Sequence, residues 1–301
     1  MGAADIVSID SGLDPTRARL AAVDARLSEL VPAESAWPRR LHAAERHALL
    51  SPGKRLRPLL SLMVAEGYGA QGAAMLDVAC VSEMVHAASL ILDDLPCMDD
   101  AQLRRNRPTT HLAYDEATAV LAATALLNRA FGVLMQVPAS AEVRAELGGM
   151  LSFAVGSKGL IAGQIADLAN TGGAIPASEV ERLNALKTGA LFDFCTDAGA
   201  VVAGADAASR ASLRDFSQQL GLAFQLLDDL KDVLQTETES GKSAGRDADK
   251  STLVALDGIE GAKERLDGYL TAADTALARA NLSNAKDISV LLRAYFGGKI
   301  G

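Results

Sequence analysis

The stretch from Ser82 to Pro108, SEMVHAASLILDDLPCMDDAQLRRNRP, constrains this chain more than any other. Its first half is apolar enough for a buried helix, with polar residues at Ser82, His86, Ser89 and Asp93. At ~100° per residue these fall on one stripe. A buried helix with an inward polar stripe must meet partners, because each unpaired group costs roughly 1–3 kcal/mol. Four carboxylates then arrive close together, Asp93, Asp94, Asp99 and Asp100. Pro96 removes a helix donor and should loosen or end the helix, so that Asp99 can swing back toward Asp93. Arg104, Arg105 and Arg107 follow. Crowded carboxylates repel unless neutralised, and adjacent hard oxygens suit Mg²⁺, which keeps waters and also takes oxygens from a phosphate. A solvated acidic loop is the alternative; the apolar helix running straight into the carboxylates argues against it.

The theme recurs. A long helix is expected over residues 208–234, where Gln225, Asp228 and Asp232 share a stripe and Asp229 adds a further carboxylate. Asp228 and Asp232, one turn apart, could grip one side of a cation. A basic turn, Ser51-Pro-Gly-Lys-Arg-Leu-Arg-Pro58, carries Lys54, Arg55 and Arg57 just before a helix start expected at Pro58 and running over residues 59–66. Helix starts offer free N–H groups to anions. The turn lacks P-loop spacing.

The other elements read as helices too. Ala and Leu are abundant and aromatics only 4%, which favours helix over sheet. Asp14-Pro15 should open a helix to about Leu30 after a loose polar segment at residues 1–13. Further helices are expected over residues 39–50 and 114–136, from Ser140 through Leu168, from the capping box at Ser178, and over 251–280 and 285–296. Trp37 reads as a packing residue. Gln164 and Asp167 stand three apart on a small-residue face, as packing or beside a metal. Lys187, inside an apolar helix, faces either solvent or an anion. Residues 236–249, TETESGKSAGRDAD, read as a mobile lid or a surface loop, with Lys242, Arg246 and Lys250 in or next to it. No linker divides the 301 residues, so a single domain is expected. The net charge of −9 argues against nucleic-acid binding. No signal peptide and no membrane-length apolar run is apparent. Cys80, Cys97 and Cys195 lack metal spacing and read as reduced, mostly buried thiols of a cytoplasmic protein.

The GKRLRP turn, the first aspartate stretch, KTGALF, the second aspartate stretch and GKSAG, in that order along the chain, resemble the trans-isoprenyl diphosphate synthases across residues 41–253. DDLPCMD has the longer spacing of the bacterial short-chain group, and DDLPCMDDAQLRRNRPTTH with LLNRAFGVL resembles the carotenoid-type geranylgeranyl diphosphate synthases. The resemblance implies an all-α isoprenoid synthase bundle around a deep cavity, usually a homodimer. It implies that Asp93, Asp94 and Asp99 hold two Mg²⁺ ions and Asp228 a third, with Asp229 and Asp232 acting mainly through waters. Arg104, Lys187, Thr188, Gln225 and Lys242 would contact an allylic diphosphate (dimethylallyl, geranyl or farnesyl). Lys54, Arg57, His86 and Arg105 would bind isopentenyl diphosphate. His86 is then a phosphate ligand rather than a general base.

One helical turn rises ~5.4 Å, roughly one isoprene unit. Ala88 and Ser89, one turn before Asp93, are small, and Met84 and Val85 are candidate floor residues one turn deeper. Growth to C20 is expected, with C15 the alternative, and Ala88→Tyr should shorten the product. A terpene cyclase would lack the basic turn and the second aspartate set, and a non-catalytic partner subunit would be expected to lose one set. Asp249, where a glycine often stands, and the terminal GGKIG depart from the family pattern.

Overall fold

Helices supply nearly all of the regular structure, in keeping with the Ala- and Leu-rich composition. The structure is a computed structural model and describes residues 13–170, 175–234 and 251–297. In chain order the helices are α1 (Leu13–Leu30), α2 (Arg39–Leu49), α3 (Leu56–Gly67), α4 (Ala73–Asp93), α5 (Thr110–Ala113), α6 (Glu116–Gln136), α7 (Ala141–Val155), α8 (Leu160–Ala169), α9 (Ala177–Asn184), α10 (Ala190–Val202), α11 (Ala207–Leu234), α12 (Leu253–Arg279) and α13 (Ala285–Gly297). Two short antiparallel strands, β1 (Leu103–Arg104) and β2 (Arg107–Pro108), form a hairpin between α4 and α5. Its turn residues Arg105 and Asn106 both have positive φ, 56° and 60°, as a two-residue type I′ turn requires.

α4 packs against α1, α2, α3, α6 and α10, which is why its middle is buried all round, Ser82 and Glu83 included. By length and composition α4 and α6 could each cross a bilayer, but 67% of the α4 window is buried inside the protein, and two such helices are weak support for a span. One apolar cluster gathers around α4, α6 and α10, including Met84, Ile91, Leu126 and Leu147. A second gathers around α11 and α12, including Phe192, Phe216, Leu227 and Phe296. α3 and α10 feed both: Leu62 and Leu191 belong to the first, Leu60 and Phe192 to the second. The acidic ends of α4 and α11 therefore belong to different clusters and can face each other across a gap.

Several local expectations shift. α1 begins at Leu13. α3 begins at Leu56, not Pro58; Pro58 sits in the first turn, where its missing N–H is not needed. The helix expected from Ser140 to Leu168 breaks between α7 and α8, where Gly156 and Gly159 bracket the gap. Ser140 does cap α7, its hydroxyl accepting from Val143 N. Ser178 does not cap α9, which starts at Ala177 after Pro176. Trp37 is not a packing residue: it is 90% exposed, beside a cis peptide bond to Pro38. Cys80 and Cys195 are buried, but Cys97 is exposed.

Candidate active site

The chain after α4 folds back on the helix end. Asp99 N donates to Asp93 O at 2.9 Å, Asp100 N to Leu95 O at 3.0 Å, and Ala101 N to Asp94 O at 3.1 Å. The loop opened by Pro96 thus returns Asp99 beside Asp93, and both line a cavity of about 210 Å³ for a water-sized sphere. Asp94 does not border this cavity. It is 3% exposed, and Arg104 reaches its Oδ1 at 2.6 and 3.0 Å through Nη2 and Nε. Burial pushes the Asp93 carboxyl up to about 6, against the pull of Lys187. Burial also raises Asp94, opposed by the Arg104 guanidinium.

α11 forms the facing wall. Gln225, Asp228, Asp229 and Asp232 line the same cavity, one to two turns of one helix face. Thr188 Oγ1 donates to Gln225 Oε1 at 2.8 Å, and Gln225 Nε2 donates to Asp229 Oδ1 at 2.9 Å. Lys187 and Thr188 lie on a five-residue π-turn, Ala185–Gly189, rather than on a regular helix. Such turns recur at functional sites because they re-aim side chains. Two glycines clamp it: a Cβ on Gly163 of α8 would lie 2.2 Å from Lys187 N, and one on Gly221 of α11 would lie 2.6 Å from Gly189 Cα. Neither position accepts a side chain without moving backbone.

Cations and amides complete the enclosure. Arg57 lies 4.5 Å from the Phe192 ring centroid and 5.3 Å from that of Phe224. Among the described residues, the buried polar atoms without a partner include Arg57 Nε, Gln164 Nε2, Asn170 Oδ1 and Asn184 Nδ2, and all four residues line this cavity. Leaving such groups unpaired costs roughly 1–3 kcal/mol each, so the cavity suits a polar ligand. His86 also lines it. Burial and then Arg57, Arg105, Arg104 and Arg55 push its imidazole well below the usual range, so it stays neutral.

Two of the four residues expected on the isopentenyl diphosphate side stand back. Lys54 lies 4.7 Å over the Tyr295 ring, and Arg105 reaches Ser51 O at 3.3 Å. A buried ion pair holds this turn. Arg55, left-handed at φ 48°, donates to Glu83 Oε1 at 2.6 Å and to Asp24 Oδ1 at 2.9 Å. No sequence motif marks Glu83. A carboxylate inside an otherwise apolar helix was the available signal. Of the chain-length candidates only Ser89 borders the cavity; Ala88, Met84 and Val85 are buried in the core. Lys242 and the rest of the expected lid lie outside the described residues.

The donor set fits a hard divalent cation bound together with an anion. Asp93 and Asp99 on one side, and Asp228, Asp229 and Asp232 on the other, offer carboxylate oxygens. Among the described residues no three metal-binding side chains already form a single-ion cage. Mg²⁺ takes one or two carboxylates and fills its octahedron with water and phosphate oxygens.

Residues 38–282 match the polyprenyl synthetase family model. The chain belongs to the polyprenyl synthetase family. Polyprenyl synthetases similar to it include the geranylgeranyl diphosphate synthase of Pantoea ananas, 44% identical over 290 residues, which are 95% of this chain and 94% of that protein. The farnesyl diphosphate synthase of Bacillus subtilis (strain 168) is 40% identical over 256 residues, 83% of this chain and 86% of that protein. Among solved structures, the geranyltransferase of Helicobacter pylori complexed with magnesium and isoprenyl diphosphate superposes with a TM-score of 0.86 at 33% identity, covering 97% of this chain and 100% of that one. Fold and sequence agree: this polyprenyl synthetase is an all-α, short-chain trans-prenyltransferase.

Proposed function

We propose that this polyprenyl synthetase joins isopentenyl diphosphate to an allylic diphosphate in a Mg²⁺-dependent reaction and releases mainly the C20 product, geranylgeranyl diphosphate. The observation that carries the reading is one cavity with carboxylates on two facing helices and Arg57, Arg104 and Lys187 between them. When bound, Mg²⁺ supplies charge neutralisation for the departing diphosphate. Arg104 and Lys187 add positive charge where the leaving group gathers its electrons, and such stabilisation in a dry site lowers the barrier. The allylic C–O bond breaks with its electrons going to diphosphate. The double bond of isopentenyl diphosphate forms the new C–C bond, and the proton then lost goes to the released diphosphate. Leu90, Leu191 and Phe224 give the cavity apolar surface that keeps water from the cation. Arg57 and neutral His86 receive the second diphosphate.

Small Ser89, one turn before Asp93, leaves the tail room to grow beyond C15. Incubation with isopentenyl diphosphate, Mg²⁺ and farnesyl diphosphate tests the reading: C20 product is expected. Accumulation of C15 from dimethylallyl diphosphate with farnesyl diphosphate left unused would support a farnesyl diphosphate synthase instead. A homodimer is also part of the proposal. It is supported by exposed apolar residues on α6 and α7, among them Leu121 at 62% and Phe153 at 61% exposure. A solution mass of one chain would oppose it.

A further inference from the structure

The small-residue stretch GLIAGQIAD, Gly159 to Asp167, has no part in the reaction described so far. In the structure it forms the start of α8 and lies directly on the π-turn. Gly163 touches the backbone of Lys187, and Asp167, one helical turn further on, places Oδ2 2.6 Å from Lys187 Nζ. Asp167 and Lys187 both line the cavity, as does Gln164, which follows Gly163 in sequence and has its Nε2 unpaired. The backbone of Lys187 is thus fixed by glycine contacts on two sides. Its side chain is a different matter, because a four-carbon stem leaves an ammonium free to wander unless something holds it. An ammonium has three N–H donors, and a bond to Asp167 leaves others for a ligand.

We infer that Asp167 is a positioning residue for Lys187: it fixes the ammonium on the α8 wall, so that an incoming diphosphate meets a placed donor rather than a mobile one. The inference rests on the diphosphate-binding reading of the cavity. A donor ordered in advance costs less freedom at the moment of binding and is better placed in the transition state.

A double-mutant cycle read by calorimetric binding of pyrophosphate with Mg²⁺ tests this without relying on turnover. Lys187→Gln alone should weaken binding about tenfold or more, as loss of a charged ligand contact does. Asp167→Asn should weaken it about fivefold when Lys187 is present and less than twofold in the Lys187→Gln background. Melting temperature should stay near that of the parent, and the KM for isopentenyl diphosphate should not move while kcat falls. Asp167→Ser should show the same coupling if the Asn variant folds poorly. Equal losses in both backgrounds would make Asp167 a structural residue and overturn the inference alone. Tighter pyrophosphate binding by Asp167→Asn would make it a competitor for Lys187 and also overturn it. If Lys187→Gln binds pyrophosphate as well as the parent does, the diphosphate reading of Lys187 falls, and the inference with it.

Discussion

Two helices end in paired aspartates, and they present them in different ways. On α4 the helix stops at Asp93, Asp94 turns inward to Arg104, and a folded loop supplies Asp99. On α11 the helix simply continues to Leu234, and its own periodicity brings Asp228, Asp229 and Asp232 to the cavity. One wall is built by tertiary structure and the other by helical repeat. On the built wall Arg104 is an internal counterion for Asp94, and on the repeat wall Asp229, itself buried, accepts from the side-chain amide of Gln225 on the same helix. The contrast implies that the α4 wall tolerates change less.

The largest test of that contrast is Asp93→Asn against Asp228→Asn. The first should lower kcat about a thousandfold and the second about a hundredfold, since Asp229 and Asp232 remain beside Asp228. Equal losses, or a larger one on α11, would break the comparison. Next, Asp94→Asn leaves the guanidinium of Arg104 without its charged partner and should cost about 2 kcal/mol in chemical denaturation. Asp229→Asn should cost about 0.5–1 kcal/mol, because the new side-chain oxygen can still accept from Gln225 Nε2. Similar values for the two would show that the α4 wall is not specially braced.

A third test concerns the depth of the cavity. Ser89 borders it and Ala88 does not. Ser89→Phe should therefore shorten the main product to C15 with the fold intact, read by product chromatography. Ala88→Tyr should chiefly overpack the core and lower the melting temperature. A shortened product from Ala88→Tyr at parental stability, with none from Ser89→Phe, would reverse the assignment.

The smallest effect contrasts Asp93 with a buried carboxylate away from the cavity. Burial also pushes Asp193 of α10 up to about 6, opposed by the hydroxyl of Ser217, which donates to it. Its folded value lies above the 3.8 of an ordinary aspartate, so folding takes up a proton between the two. The stability it lends is complete below the lower value and is lost as pH rises through about 6. Asp193→Asn should then raise the melting temperature by a few degrees at pH 8, with the gap closing toward pH 4. A gap that does not depend on pH would show that Asp193 is not the titrating group. The same change at Asp93 should show its roughly thousandfold loss of kcat whatever it does to stability.

Periodicity made much of this legible. The α11 stripe and the α4 stripe from His86 to Asp93 follow from ~100° per residue, and both appear on the cavity wall. The return of Asp99 was readable from Pro96. Less legible were features that depend on neighbours distant in sequence. The π-turn at Lys187 is packed against Gly163 and Gly221 from two other helices, and no local pattern announces that. Asp94 reads like its neighbour Asp93, but the hairpin turn at Arg105 and Asn106 brings Arg104 back to claim it. Glu83 was hidden because its partner Arg55 lies in a turn that looked merely basic. Trp37 misled because a large aromatic is usually buried, and here it is not.

The central claim is that the two acidic helix ends hold a metal–diphosphate unit between them. Crystals grown with Mn²⁺ and pyrophosphate test it most directly, through the anomalous signal of the metal. The account predicts peaks within coordination distance of Asp93 and Asp99 on one side and Asp228 on the other, bridged by pyrophosphate. Mn²⁺ bound elsewhere, or pyrophosphate seated away from both helices, would contradict it.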